Sequence, residues 1–163
     1  MKGLMYSTIF AMAAAATSAP TIAQAQTVNY DASAPRIVST DIDRNESNHS
    51  ITLYTGGRPL SYVKITAPEG VRINEGTQVT TESGRRIEAA LFRGLNQDNQ
   101  FVLAFAQPVP ARMNLKITLQ EVEPTVPGAG NFFNYEVAGK HIGLERLIPY
   151  GVARFQANAT VRP

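Results

Sequence analysis

"FVLAFAQPVPARMNLKITLQEV", Phe101–Val122, is the stretch on which the fold turns. Successive side chains of an extended strand point to opposite faces. Phe101, Leu103 and Phe105 therefore share one side, and Val102, Ala104 and Ala106 the other. Both sets are apolar, which predicts a central strand covered on both faces. Pro108 and Pro110 have no N–H to give to a ladder, so the strand is expected to end there, with the prolines stiffening the link. Leu115, Ile117 and Leu119 then alternate with Asn114, Lys116, Thr118 and Gln120, the pattern of a strand with one buried and one wet face. The whole reads as a hairpin of packing strands. With no cysteine, no histidine and Glu121 as its one acid, it carries no evident chemistry.

The same period of two recurs on both sides. "PRIVSTDI" places Val38, Thr40 and Ile42 opposite Ile37, Ser39 and Asp41, and "HSITLYT" and "LSYVKITAP" follow as strands. Thr77–Thr81 and Arg86–Arg93 read as a second hairpin about the turn Glu82–Arg85. Glu88, Ala89, Ala90 and Leu91 also suit a helix, but the alternation of Ile87, Ala89 and Leu91 favours a strand. "NFFNYEV" and "YGVARFQA" supply later strands, and "AGKHIGLERLIP" between them reads as irregular or as a short helical turn. Short strands separated by Gly, Pro, Asn and Asp predict an all-β chain, an antiparallel β-sandwich of the Ig-like kind, with a partly open β-barrel as the alternative.

The chain has 163 residues, enough for one domain with a sizeable core. Its start, "MKGLMYSTIFAMAAAATSAPTIAQAQ", has one cation, Lys2, then an apolar run and the small-residue site Ala23-Gln24-Ala25. That order is a secretory signal peptide over residues 1–25. The apolar run is short of the ~20 residues that span a bilayer, and no later stretch is long enough either. The expected organisation is a flexible leader at 26–34, a β-sandwich domain at 35–157 and a frayed tail at 158–163. Removal of Lys2 leaves 14 cations against 13 acids. That balance gives no dense basic face, and no nucleic-acid partner is expected. Cysteine is absent from the whole chain, which excludes disulfides, thiolate metal sites and cysteine nucleophiles.

Candidate chemistry is sparse. A serine triad needs a histidine base, and the two histidines, His49 and His141, stand in stretches that read as polar loops and are expected at the surface. "DIDRNESN" begins like a calcium loop, with Asp41, Asp43 and Asn45 at alternate positions. Glu46 stands where the sharp turn of an EF-hand needs Gly, and Thr52 where it needs Glu, so an EF-hand is excluded. A looser calcium site built from Asp41, Asp43 and Glu46 stays open as the one cofactor candidate. Arg85, Arg86 and Arg93 lie on or beside one hairpin, and arginine forks suit carboxylate or sulfate groups of an exported glycan. Three glycosylation sequons stand at Asn45, Asn48 and Asn158.

Three segments carry a family resemblance: "GRPLSYVKITAPEGVRI" (57–73), the opening stretch continued to Pro124, and "NYEVAGKHIGLERLIPYGVARFQ" (134–156). Together they resemble a family of small secreted cyanobacterial proteins carrying a domain of unknown function. The resemblance implies export and a compact β domain, and no catalytic residues. With the missing nucleophile, base and metal signatures, the expected function is a non-enzymatic binding or structural module of the periplasm or cell surface, the alternatives being a calcium- or anionic-glycan-binding domain and an enzyme of unrecognised type. Its partner would be a cell-surface polysaccharide or another exported protein.

Overall fold

The structure, a computed structural model, describes residues 31–74, 76–94, 97–125 and 132–156, with the backbone alone at 97 and 98. The signal peptide, most of the leader and the tail lie outside the described residues, as does the sequon at Asn158. Eleven strands and no helix occur among the described residues. In chain order they are β1 (Arg36–Ile42), β2 (His49–Tyr54), β3 (Leu60–Thr66), β4 (Val71–Ile73), β5 (Thr77–Thr81) and β6 (Ala89–Gly94), then β7 (Gln97–Val109), β8 (Asn114–Leu119), β9 (Val122–Pro124), β10 (Phe132–His141) and β11 (Ile148–Gln156). A four-stranded sheet runs β1-β2-β8-β5 and a five-stranded sheet β11-β10-β3-β7-β6, with β4-β9 as a small separate pair. Every pairing is antiparallel. The molecule is an antiparallel β-sandwich with open sheets, and no closed barrel forms.

The stretch from Phe101 to Val122 corrects the hairpin reading. β7 lies between β3 and β6 in one sheet, and β8 between β2 and β5 in the other. The link is an arch that carries the chain across the core. Its hydrogen bonds explain why: Arg112 N–H donates to the Gly56 carbonyl (2.7 Å), and Thr55 N–H donates to the Met113 carbonyl (2.9 Å). The Thr55 hydroxyl donates to the Pro110 carbonyl (3.0 Å) and accepts from Met113 N–H (2.9 Å). The link is thus tied to the segment after β2 instead of closing a turn back onto β7. Phe101, Leu103, Leu115, Ile117 and Leu119 are all fully buried and meet in one core from opposite sheets. Gly56 permits the tie with φ +78, and a Cβ there would stand 2.8 Å from the Pro35 ring.

Four further expectations change. β7 continues through Pro108 to Val109, because its ladder with β3 is interrupted between Tyr62↔Ala104 and Leu60↔Val109, where the missing N–H costs nothing. Its second face is not covered: Val102 and Ala104 are half-buried on the outside of the sandwich, and Phe105 is half-buried. The 77–93 hairpin is also split between sheets. Thr80 bridges Arg86, and Thr81 N–H and Ile87 N–H bond back to Arg85 and Val79. Beyond that tight turn β6 leaves β5 to pair with β7. In β1 a bulge between Ile37 and Ser39 shifts the alternation, so Ile37 and Ile42 both pack on the core. β1 and β11, each a sheet edge, are joined where the Thr40 hydroxyl donates to the Arg154 carbonyl (2.8 Å).

Candidate functional site

Both histidines overturn the expectation of surface loops. His49 opens β2, paired with Ile42 and Leu119, and is 0% exposed. Its ring stacks on Phe155 at 4.9 Å and meets Phe133 and Tyr135 edge-on. Its Nδ1 lies 2.8 Å from the Tyr135 hydroxyl, while Nε2 is buried without a hydrogen-bond partner. Burial pushes the imidazole down to about 4, against the opposing pull of the Glu46 backbone and the Asp43 carboxylate. The ring is therefore neutral at neutral pH. Burial drives the Tyr135 hydroxyl upward in turn, so the pair is a neutral hydrogen bond inside an aromatic box.

His141 ends β10 and is likewise buried. A carbonyl oxygen only accepts, so the contact of Nδ1 with the Arg58 carbonyl (3.1 Å) makes Nδ1 the donor. In the neutral ring Nε2 then accepts from the Tyr150 hydroxyl at 3.2 Å. Gly139 is what lets Tyr150 fold inward: a Cβ there would stand 2.5 Å from the Tyr150 ring and 2.8 Å from Leu60. The two histidines do not share a site. Tyr135, beside His49, and His141 are six residues apart on β10, which is about 20 Å of strand. Among the described residues no group of three His, Asp or Glu is placed to hold a metal ion.

The acidic loop is built around Asp43. Its carboxylate accepts from Ser47 N–H (2.9 Å), Asn48 N–H (3.0 Å) and the Asn48 amide (2.9 Å). The Asn48 backbone bond is the largest cause holding this carboxyl below its ordinary range. Glu46 takes φ 58 to close the turn, and the Ser47 carbonyl accepts from Val122 N–H. Asp43 is thus the loop's own cap, and Asn48, a sequon residue, has its amide engaged in the same network. Asp41, Asp43 and Glu46 do border one cleft, of about 300 Å³, but they share it with Arg44, Arg154, Phe155 and Gln156. Arg44 adjoins Asp43 in the sequence, but Arg154 was not legible as a neighbour of the acids, because it comes from β11, more than a hundred residues on.

The arginine trio is spread out. Arg85 lies in the turn and Arg86 at the Thr80 bridge. Arg93 sits toward the far end of β6, where its Nη2 donates to the Ile73 carbonyl (2.7 Å) and its guanidinium covers Phe101 at 5.7 Å. Arg93 thus fastens β6 over the end of the core, and the three do not make one patch.

No protein-family model matches the chain, and no curated protein matches it. Among solved structures it is similar to the pilus backbone of Streptococcus pneumoniae, with 14% identity, TM-score 0.46, and coverage of 66% of this chain and 52% of that one. It is similar to a collagen-binding domain from a Staphylococcus aureus adhesin, with 9% identity, TM-score 0.42, and coverage of 76% and 95%. It is also similar to a family 123 glycoside hydrolase from Clostridium perfringens, with 12% identity, TM-score 0.31, and coverage of 71% and 22%. The chain spans about half the length of the pilus backbone chain, and the sandwich assignment rests on the strand pairing above.

Proposed function

We propose that this protein is an exported, non-enzymatic binding or structural module of the periplasm or cell surface. One observation carries the non-enzymatic half: both imidazoles are consumed by the core, His49 against Tyr135 and His141 between Arg58 and Tyr150. A general base must reach its substrate's proton, and neither ring reaches solvent. Export is supported by the charge, apolar run and A-x-A order of residues 1–25 and by the resemblance to secreted β proteins. No helix among the described residues is long and apolar enough to cross a membrane. The partner is a cell-surface polysaccharide or another exported protein. Fractionation of the host, with mass spectrometry of what co-purifies, tests this. Recovery in the exported fraction with a partner supports it, and recovery in the cytoplasm contradicts it.

A further inference from the structure

Two of the sequons, Asn45-Glu46-Ser47 and Asn48-His49-Ser50, follow one another directly. Each asparagine has an acid two residues before it, Asp43 or Glu46, so the flanking sequence does not separate them. The fold does. Asn45 is exposed, in the turn that the Glu46 N–H closes on the Asp43 carbonyl (3.0 Å). Among the described residues its side chain makes no hydrogen bond. Ser47 stands in the same loop, and its hydroxyl lies 3.5 Å from the Asp43 carboxylate, too far to be held firmly. Asn48 is half-buried and engaged at both ends of its amide. Its Nδ2 donates to the Asp43 carboxylate (2.9 Å), and its Oδ1 accepts from the Glu121 N–H (3.4 Å). Beyond it the second sequon runs into the sheet: His49 is fully buried at the head of β2, and Ser50 is 7% exposed. The Ser50 hydroxyl lies 3.1 Å from that of Thr118, its partner on β8.

We propose that the folded protein accepts an N-linked glycan at Asn45 and not at Asn48. An amide nitrogen is a poor nucleophile, because its lone pair is delocalised into the carbonyl. A transferring enzyme must therefore hold the amide N–H groups itself, together with the hydroxyl two residues on. The co-reactant is a lipid-linked oligosaccharide diphosphate. The bond from the anomeric carbon of its first sugar to the diphosphate breaks, and a bond from that carbon to Asn45 Nδ2 forms. The lipid diphosphate leaves with the electron pair, and one amide proton passes to a base of the enzyme. Asn45 and Ser47 can be held in this way while the Asp43 cap keeps its bonds to the Ser47 and Asn48 backbone. Asn48 and Ser50 cannot. Their bonds to Asp43, Glu121 and Thr118 must break first, and β2 must peel from β8, which draws His49 out of its aromatic box. The proposal rests on the export reading, since such a transfer takes place on the outer side of a membrane.

The test uses the purified, folded mature chain, so its outcome is independent of where the host places the protein, which fractionation reads separately. The chain is incubated with a single-subunit bacterial oligosaccharyltransferase and a lipid-linked oligosaccharide, and each asparagine is followed by glycopeptide mapping. A synthetic peptide of residues 41–52 is the unfolded comparison. The folded protein should carry its glycan at Asn45, with occupancy at Asn48 lower by about tenfold or more, because hydrogen bonds must break there first. The peptide should be modified at either asparagine. Asn45→Gln should leave the folded protein unmodified, and Asn48→Gln should leave the Asn45 glycan in place. A folded protein that takes no glycan, or takes it at Asn48, would overturn the proposal. So would a peptide with the same preference for Asn45, since the fold would then not be what selects it.

Discussion

Acid should unfold this protein through His49. The imidazole is fully buried and held down to about 4 against an ordinary value of 6.5. The folded state therefore resists protonation, while the unfolded chain takes up its proton as pH falls through 6.5. Stability contributed by the neutral ring is complete above about pH 6.5 and is lost between there and about pH 4. A gap of about 2.5 pH, at about 1.4 kcal/mol for each, is a full loss of about 3.5 kcal/mol, of which about 3 kcal/mol has gone by pH 4. A typical domain is stable by about 5–15 kcal/mol, so this is a large part of the whole. Urea denaturation at pH 7, 6, 5 and 4 measures it, with His49→Gln as the comparison. Glutamine does not titrate and can still meet the Tyr135 hydroxyl. The variant should start weaker at pH 7 but lose about 3 kcal/mol less between pH 7 and pH 4. Equal losses in both proteins would refute a buried neutral imidazole. Asp43, whose carboxyl is depressed by the Asn48 backbone, adds a further loss only below its ordinary range and in both proteins alike.

Other outcomes follow from the same packing. Phe101→Ala removes a fully buried ring and should cost about 3–5 kcal/mol, whereas Lys116→Ala on the exposed face of β8 should cost under about 0.5 kcal/mol; chemical denaturation of both would show reversed faces if the order were inverted. Phe105→Ala should fall well short of Phe101→Ala, because Phe105 is half-exposed. Gly139→Ala drives a methyl into Tyr150 and Leu60 and should lower stability by about 1–3 kcal/mol; an unchanged melting temperature would mean that Tyr150 does not pack there. N-terminal sequencing of exported material should begin near Gln26, and a start at Met1 would contradict cleavage after Ala25.

Period-two alternation made the strands legible. β2, β3 and β8 fall in stretches read as strands, and the buried face of β8 is the one assigned from the sequence; β10 runs on through Ala138–His141, a stretch that read as irregular or as a short helical turn. Sheet membership was not legible, because alternation says that a strand has a buried face and not which strand it hydrogen-bonds. The arch at Pro110–Met113 looks like a turn until the bonds to Thr55 and Gly56 are seen. The bulges in β1 and β11 were equally hidden. The histidines were misplaced for a related reason. "ESNHS" is polar by composition, yet Asp43 gathers Ser47 and Asn48 into a capped loop, and the strand begins at His49 itself. The aromatic partners Phe133, Tyr135 and Phe155 lie some 85 to 105 residues away, and no local pattern announces them.

Both imidazoles belong to the core. Diethyl pyrocarbonate, which acylates accessible neutral imidazole, tests it on the native protein at neutral pH, with each histidine followed by peptide mapping. The structure predicts that His49 and His141, 0% and 2% exposed, stay unmodified in the folded protein and both react once it is unfolded in urea. Rapid modification of either ring in the folded protein would contradict its burial and mark that histidine as accessible to a substrate.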